Sequence, residues 1–370
     1  MKILISLIGK EVIGNFRVFK HLRPDKVVHL YSDDTKIHNQ NLVNTIETSY
    51  HVMVESFKVE GFDYENCMSK LNSLSIKEED IIVSNISGGT KIMSLALYAF
   101  AQEINQTENV CYFDTNQNLH WLNKNLKDII TTEILLEEYI ELQGQKISSK
   151  VEFEIAWIKF KKSLKFVKYN YINDQWKTFL KEVVTVFRKY RDNKNNEQSI
   201  FEIISKKLIK TNIFDLDVQN GQFIVKTKES IFFQSKLSES DIDFFYFNAG
   251  WFELLCAQAL QMKYSKDKIY LSVRFPYLSN QSSDKNEVDI LINDSGKLIF
   301  IECKSGDVKS EHIDRIKNRK DTFGGLISKS MLITRFPIEK SYNPHMSKNI
   351  VEKCNEYGIE YTTLRELQNR

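Results

Sequence analysis

Paired cysteines are missing from this chain. Cys67, Cys111, Cys256, Cys303 and Cys354 are odd in number, widely spaced and never form CxxC. That excludes a disulfide scaffold and a zinc ribbon, and it leaves reduced thiols of the kind kept in a cytoplasm. The seven histidines form neither HxxxH nor HExxH, so no zinc-hydrolase helix is present. No apolar run approaches the ~18 residues that a membrane-spanning helix needs. The opening MKILISLIGKEVIGN has no small-residue cleavage pattern, and it reads as a first strand, not a signal peptide. Of four prolines none falls between Asp25 and Phe275, which leaves no stiff proline-rich linker. Neither GxxxxGK[ST] nor GxGxxG occurs, and there is no internal repeat.

Net charge is also small, +2 over 370 residues. The average hides a split: residues 1–150 carry −5 and residues 151–370 carry +7. Ile158 to Lys194 alone holds eleven basic and three acidic residues. Such asymmetry points to two parts with unlike partners, the second one polyanionic.

Within residues 1–145, KILISLIG, KVVHLYS, DIIVSNIS and NVCYFDT are short apolar runs separated by segments of helical spacing, among them Gln40–Val54, Tyr64–Leu74 and Thr90–Ile104. Strands alternating with helices predict a doubly wound, mostly parallel sheet, whose ligands sit beyond the carboxyl ends of the strands. Residues 146–232 read as a helical and hairpin connecting region. It is aromatic and basic at first, followed by a helix over Ser199–Leu208 and a hairpin turning at Asn220-Gly221. Residues 233–370 follow the order helix, antiparallel strands, helix, strand, a second α/β domain.

The densest chemistry lies in that second domain. NEVDILIND alternates, so that Glu287, Asp289 and Leu291 point one way and Val288, Ile290 and Ile292 the other. LIFIECK is apolar until Glu302 and Lys304, which share a face. The Asn293–Lys297 turn pairs the two strands and brings Asp289 near Glu302. Two carboxylates at strand ends suit Mg²⁺ or Mn²⁺. Glu253, in the helix Gly250-Trp251-Phe252-Glu253, completes the metal shell. Lys304 positions or deprotonates a bound water, or neutralises charge on the transition state. A basic helix with Lys309, Arg315, Lys317, Arg319 and Lys320 follows. The set resembles PD-(D/E)xK restriction-endonuclease-like nucleases over residues 235–340, although the leading proline is absent.

In the first domain, Ser87-Gly88-Gly89-Thr90-Lys91 joins a strand to a helix. Glycines let a phosphate approach the backbone, the helix start offers free N–H groups, and Lys91 adds a charge. The loop Ile8–Val12 lies on the adjacent rim, and Ser32–Thr35 with Asp114-Thr115 completes a polar crevice.

An NxSGGTKxM Rossmann-like domain joined to GWFE…VD…ECK resembles the CARF–nuclease effectors of type III CRISPR systems, DUF1887-like proteins among them. The resemblance implies that the first domain binds a cyclic oligoadenylate, most often cyclic tetra-adenylate, across a homodimer. Carried over by position, the contacts are Gly9, Lys10 and Glu11 of the first loop and Asn85, Ser87, Gly88, Gly89, Thr90 and Lys91 of the second. It further implies a ligand-activated, metal-dependent endonuclease with Asp289, Glu302, Lys304 and Glu253 in catalysis. The substrate is single-stranded and possibly double-stranded DNA or RNA, and no membrane is involved. The alternatives are a non-enzymatic regulator reading DNA through a winged helix at Ser199–Lys228, and a first domain that degrades its own ligand. The aromatic row Trp157, Phe160, Phe166, Tyr169, Tyr171 and Trp176 reads as helix packing, with base stacking as the alternative.

Overall fold

The computed structural model describes residues 1–172, 178–183, 185, 201, 204, 215–226, 231–277, 284–325, 327–340 and 344–369. The expected helix over Ser199–Leu208, most of the winged-helix segment, and the side chains of Tyr169, Tyr171 and Trp176 lie outside the described set.

In the first domain the strands are β1 (Lys2–Leu7), β2 (Lys26–Tyr31), β3 (Met53–Lys58), β4 (Ile81–Asn85), β5 (Val110–Phe113), β6 (Asn118–Trp121) and β7 (Leu126–Ile129). They form one sheet in the order β3-β2-β1-β4-β5-β6-β7. The first five are parallel, and β6 and β7 add an antiparallel edge. Helices α1 (Ile13–Leu22), α2 (Lys36–Tyr50), α3 (Tyr64–Asn72), α4 (Lys91–Glu103) and α5 (Leu136–Leu142) complete the domain. The chain runs outward from β1 in one direction and resumes at β4 in the other. The topological switch point, where crevices open in such sheets, therefore lies between β1 and β4.

Local chemistry explains α4. Thr90 Oγ1 accepts from the Met93 N–H at 3.2 Å, and Met93, Ala96, Leu97, Phe100 and Ala101 form one buried stripe. The expected helical segment Gln40–Val54 differs in detail. The helix ends at Tyr50, His51 turns left-handed at φ 56°, and Val54 belongs to β3, a mostly exposed edge strand.

The second sheet contains β8 (Ser149–Glu152), β12 (Ile269–Pro276), β13 (Asp284–Asp294), β14 (Lys297–Lys304), β15 (Lys329–Thr334) and β16 (Glu360–Thr363). Its order is β16-β15-β14-β13-β12-β8. The sheet thus draws its edge strand from the 146–232 region. The three-stranded sheet β9 (Asp215–Gln219), β10 (Gln222–Lys226) and β11 (Ile231–Ser235) includes the expected hairpin, with Asn220 and Gly221 at φ 51° and 71°. The remaining helices are α6 (Phe153–Ile172), α7 (Glu239–Ile242), α8 (Gly250–Leu260), α9 (Ser310–Phe323), α10 (Pro344–Glu356) and α11 (Leu364–Asn369). Phe160 and Phe166 of α6 are fully buried in the core that also holds Trp251 and Ile301, with Trp157 packed against it. These three side chains are packing residues.

One hydrophobic cluster belongs to both domains. Val12, Phe16, Phe19 and Tyr139 share it with Val273, Phe275, Leu291, Phe300 and Phe323, and the rings of Phe275 and Phe323 stack at 4.0 Å. Helix α1 of the first domain and the second sheet are thus joined through apolar packing. Among the described residues no helix is long and apolar enough to cross a membrane.

Candidate functional sites

At the switch point, the loops after β1 and β4 touch. A Cβ on Gly88 would stand 2.1 Å from the Leu7 carbonyl oxygen, so only glycine allows this approach. Gly89 takes φ 69°, a conformation costly for any side chain. Thr90 Oγ1 donates to the Gly61 carbonyl and ties the second loop to the segment after β3. The resulting crevice of about 310 Å³ is lined by Gly9, Lys10, Gly89 and Thr90, together with Ser32–Thr35. Lys91 is exposed at the start of α4.

The other residues of this set face elsewhere. Asn85 is fully buried; its Oδ1 accepts from the Ser87 N–H at 3.1 Å and from the Ser87 hydroxyl. Ser87 Oγ in turn accepts from the Phe113 N–H at 2.7 Å. This pair shapes the loop from below. Glu11, Ser87 and Asp114-Thr115 line a separate cavity of about 600 Å³, whose far wall is Asp294–Lys297 of the second domain. The crevice expected to include Asp114-Thr115 is therefore two spaces, one on the outer rim and one between the domains. Sequence reasoning passed over Arg17, which crosses this second cavity: it donates to Gln117 Oε1 at 2.6 Å and to the Ser295 carbonyl. Nothing local marks Arg17, because its partners lie far along the chain.

In the second domain, Glu253, Asp289, Glu302 and Lys304 all line one cavity of about 670 Å³, with Arg274, Arg315 and Arg319 on its walls. Glu253 is the charged position of α8, flanked by the buried Trp251, Phe252, Leu254 and Leu255. Asp289 Oδ2 accepts from the Cys303 N–H at 2.8 Å. Lys304 Nζ lies 2.6 Å from Glu302 Oε1 and 3.9 Å from Asp289 Oδ2. Arg319 Nη1 donates to Glu302 Oε2, so both oxygens of Glu302 are held by cations. The expected strand alternation holds for Ile290 and Ile292 but fails at Val288, which packs in the other core cluster. Across the ladder, Leu271 and Val273 part in the same way. Between them Ser272 takes φ 47°. This irregular step sits beside Asp289, at the place where the cavity opens.

Electrostatics divide the four groups. Burial, then the Glu302 charge, pushes the Asp289 carboxyl up to about 6. Burial and Asp289 push Glu253 well above the usual carboxylate range. Burial also opposes ionisation of Glu302, but Lys304 and Arg319 outweigh it and hold that carboxyl low. Burial opposes the charge on Lys304, and Asp289 and Glu302 overcome it, so the amine stays an ammonium. Lys304 is thus a cation held between the two carboxylates.

Among the described residues no three His, Cys, Asp or Glu side chains are gathered as a metal site. The expected trio Asp289, Glu302 and Glu253 is thus not preassembled, because Glu302 is turned to its two cations. The chemistry of the donor set still fits a divalent cation at Asp289 and Glu253, two crowded acids whose mutual repulsion such an ion relieves.

Comparison with known proteins bears on both halves. Residues 250–342 match a family model described only as a domain of unknown function, DUF4143. No curated protein matches. Can2 from Sulfobacillus thermosulfidooxidans, solved in complex with cyclic tetra-adenylate, is 18% identical with a TM-score of 0.68, over 100% of this chain and 98% of that one. Protein VC1899 from Vibrio cholerae is 16% identical with a TM-score of 0.69, over 100% and 95%. A type III CRISPR defence DNA nuclease activated by cyclic oligoadenylate is 12% identical with a TM-score of 0.52, over 90% and 45%. These likenesses show the fold: a Rossmann-like first domain followed by a second α/β domain. For the first domain the match is also one of sequence, since residues 3–139 fit the family model of the Card1 CARF domain.

Proposed function

We propose that the chain is a cyclic-oligoadenylate-activated, metal-dependent endonuclease of type III CRISPR defence. The observation that carries this reading is the shared core: a phosphate-accepting crevice of CARF type is packed, through α1, against the sheet that bears Asp289, Glu302 and Lys304. Cyclic tetra-adenylate is the preferred activator, because Can2, of like fold, is solved with that ligand. Its phosphates meet Gly9, Lys10, Gly89, Thr90 and Lys91, and a homodimer with two-fold symmetry presents two such crevices to one ring.

At the second site Asp289 and Glu253 would hold Mg²⁺ or Mn²⁺, beside the Glu302 carboxylate that Lys304 and Arg319 hold. The bound cation supplies an activated water and charge stabilisation for phosphodiester hydrolysis. Lys304 holds Glu302 and offsets charge on the phosphate. Arg274 and Arg315 give a single- or double-stranded nucleic-acid backbone a positive wall. The test is a cleavage panel: the protein with Mn²⁺, cyclic oligoadenylates of several ring sizes, and single- and double-stranded DNA and RNA. Cleavage that needs both activator and metal, and that Lys304→Ala abolishes, is the expected result. No cleavage in any combination overturns the reading.

A further inference from the structure

We propose that Arg319 is a phosphate-contacting residue of the second site, holding the reacting phosphodiester with its Nε–H while Nη1 stays on Glu302. The inference rests on the nuclease reading and names how that site grips its substrate. Arg319 lies on α9, facing the cavity, with its side chain only 10% exposed. Among the described residues its Nε has no hydrogen-bond partner, although it is buried. A guanidinium offers five donors in a planar fork. Leaving a buried one unmade costs about 1–3 kcal/mol.

Two features point to an anion as the missing partner. Among the described residues Arg319 pairs with Glu302 alone, and the other oxygen of Glu302 is taken by Lys304. Arg315 stands one helical turn before Arg319, lines the same cavity and is half-exposed at its mouth, paired only loosely with Glu311 at 3.6 Å. The two arginines thus line one cavity, Arg319 against Glu302 and Arg315 more exposed. Fork geometry favours phosphate over a carboxylate ligand already supplied by Glu302.

Arg319→Lys keeps the charge and can keep the pairing with Glu302, but it replaces the planar fork and its Nε–H with a single compact ammonium. With activator, Mn²⁺ and saturating oligonucleotide, it is expected to cleave roughly ten-fold slower or worse, with an unchanged thermal midpoint and an unchanged Mn²⁺ requirement. In EDTA, where nothing is cleaved, the affinity of Arg319→Met for fluorescein-labelled single-stranded DNA and RNA 20-mers is measured against salt. Its log–log slope is expected to fall by about 1 relative to wild type. Wild-type cleavage by Arg319→Lys, or a loss cured by more Mn²⁺, overturns the proposal and leaves Arg319 as a prop for Glu302. Should wild type cleave nothing while the Arg319→Met slope still falls, the nuclease reading fails and the phosphate contact stands. An unchanged slope overturns the contact in either case.

Discussion

The Arg17 guanidinium, on the helix that follows the first crevice loop, donates to the backbone carbonyl of Ser295 at the tip of the β13–β14 hairpin. That hairpin carries Asp289 on one strand and Glu302 on the other. Gly296 takes φ 75°, and a Cβ there would push the end of the Arg17 side chain off this carbonyl. One helix and one turn thus join the first crevice loop to the hairpin that carries Asp289 and Glu302. Arg17→Ala is expected to bind cyclic tetra-adenylate as wild type does but to lose about 5- to 150-fold in activation, the span of ordinary coupling energies. Cleavage with and without activator, alongside calorimetric ligand affinity, checks it.

Glu302→Gln removes the charge that Arg319 pairs with and that Lys304 shares with Asp289. The partly buried Arg319 left without its carboxylate destabilises the fold by about 3–5 kcal/mol. The denaturation midpoint in urea should fall accordingly, and cleavage should vanish.

Asp289 titrates at about 6 in the folded chain, above the ~3.9 of an unfolded one. Between those values the native state binds the extra proton, so this group's contribution improves as pH falls from 7 to 4. The ionised carboxylate costs about 3 kcal/mol at pH 7. Asp289→Asn should therefore be more stable than wild type at pH 7 and no more stable at pH 4, as read by urea midpoints in the absence of metal.

His29 acts in the opposite direction. It is buried in β2, with Nδ1 2.8 Å from Asn39 Oδ1, and burial pushes it down to about 4. The unfolded chain takes up the proton near ~6.5, so the stability it contributes is complete above that pH and is lost as pH falls towards 4. About 3 kcal/mol is at stake. His29→Gln should flatten the acid limb of the stability curve.

Gly88→Ala drives a Cβ into the Leu7 carbonyl and should abolish activator binding, with a loss of several kcal/mol measured by thermal melting. Gly221→Ala also sits at positive φ, but with nothing within 4 Å; it should cost only about 1 kcal/mol and leave binding intact.

What could be read from the chain was whatever its local chemistry encodes. The turn at Ser87–Thr90, the cap of α4 and the hairpin at Asn220-Gly221 carry their reasons within a few residues. The Asp289–Glu302 pairing followed from two strands and a short turn. β3 escaped notice because an edge strand with exposed Glu55 and Lys58 has no apolar run to betray it. Asn85 was read as a ligand contact, yet its side chain points inward to Ser87. Arg319 was visible only as one of several basic residues, since its pairing with Glu302 depends on how α9 lies across the sheet. Arg17 gave no signal, because its partner is at the far end of the chain.

The edge strand β8 has a consequence for biosynthesis. It hydrogen-bonds only to β12, through Val151–Leu271 and Glu152–Tyr270. On the ribosome β8 emerges directly after the first domain and must wait, edge exposed, until more than a hundred further residues have been made. By then every strand of the first sheet has been made, so that sheet can pair first, while the core it shares with Val273, Phe275 and Phe300 is completed only later. The Arg17–Ser295 contact can form only afterwards. In a nascent chain the strands of the first sheet are therefore all present before the second sheet can close against them.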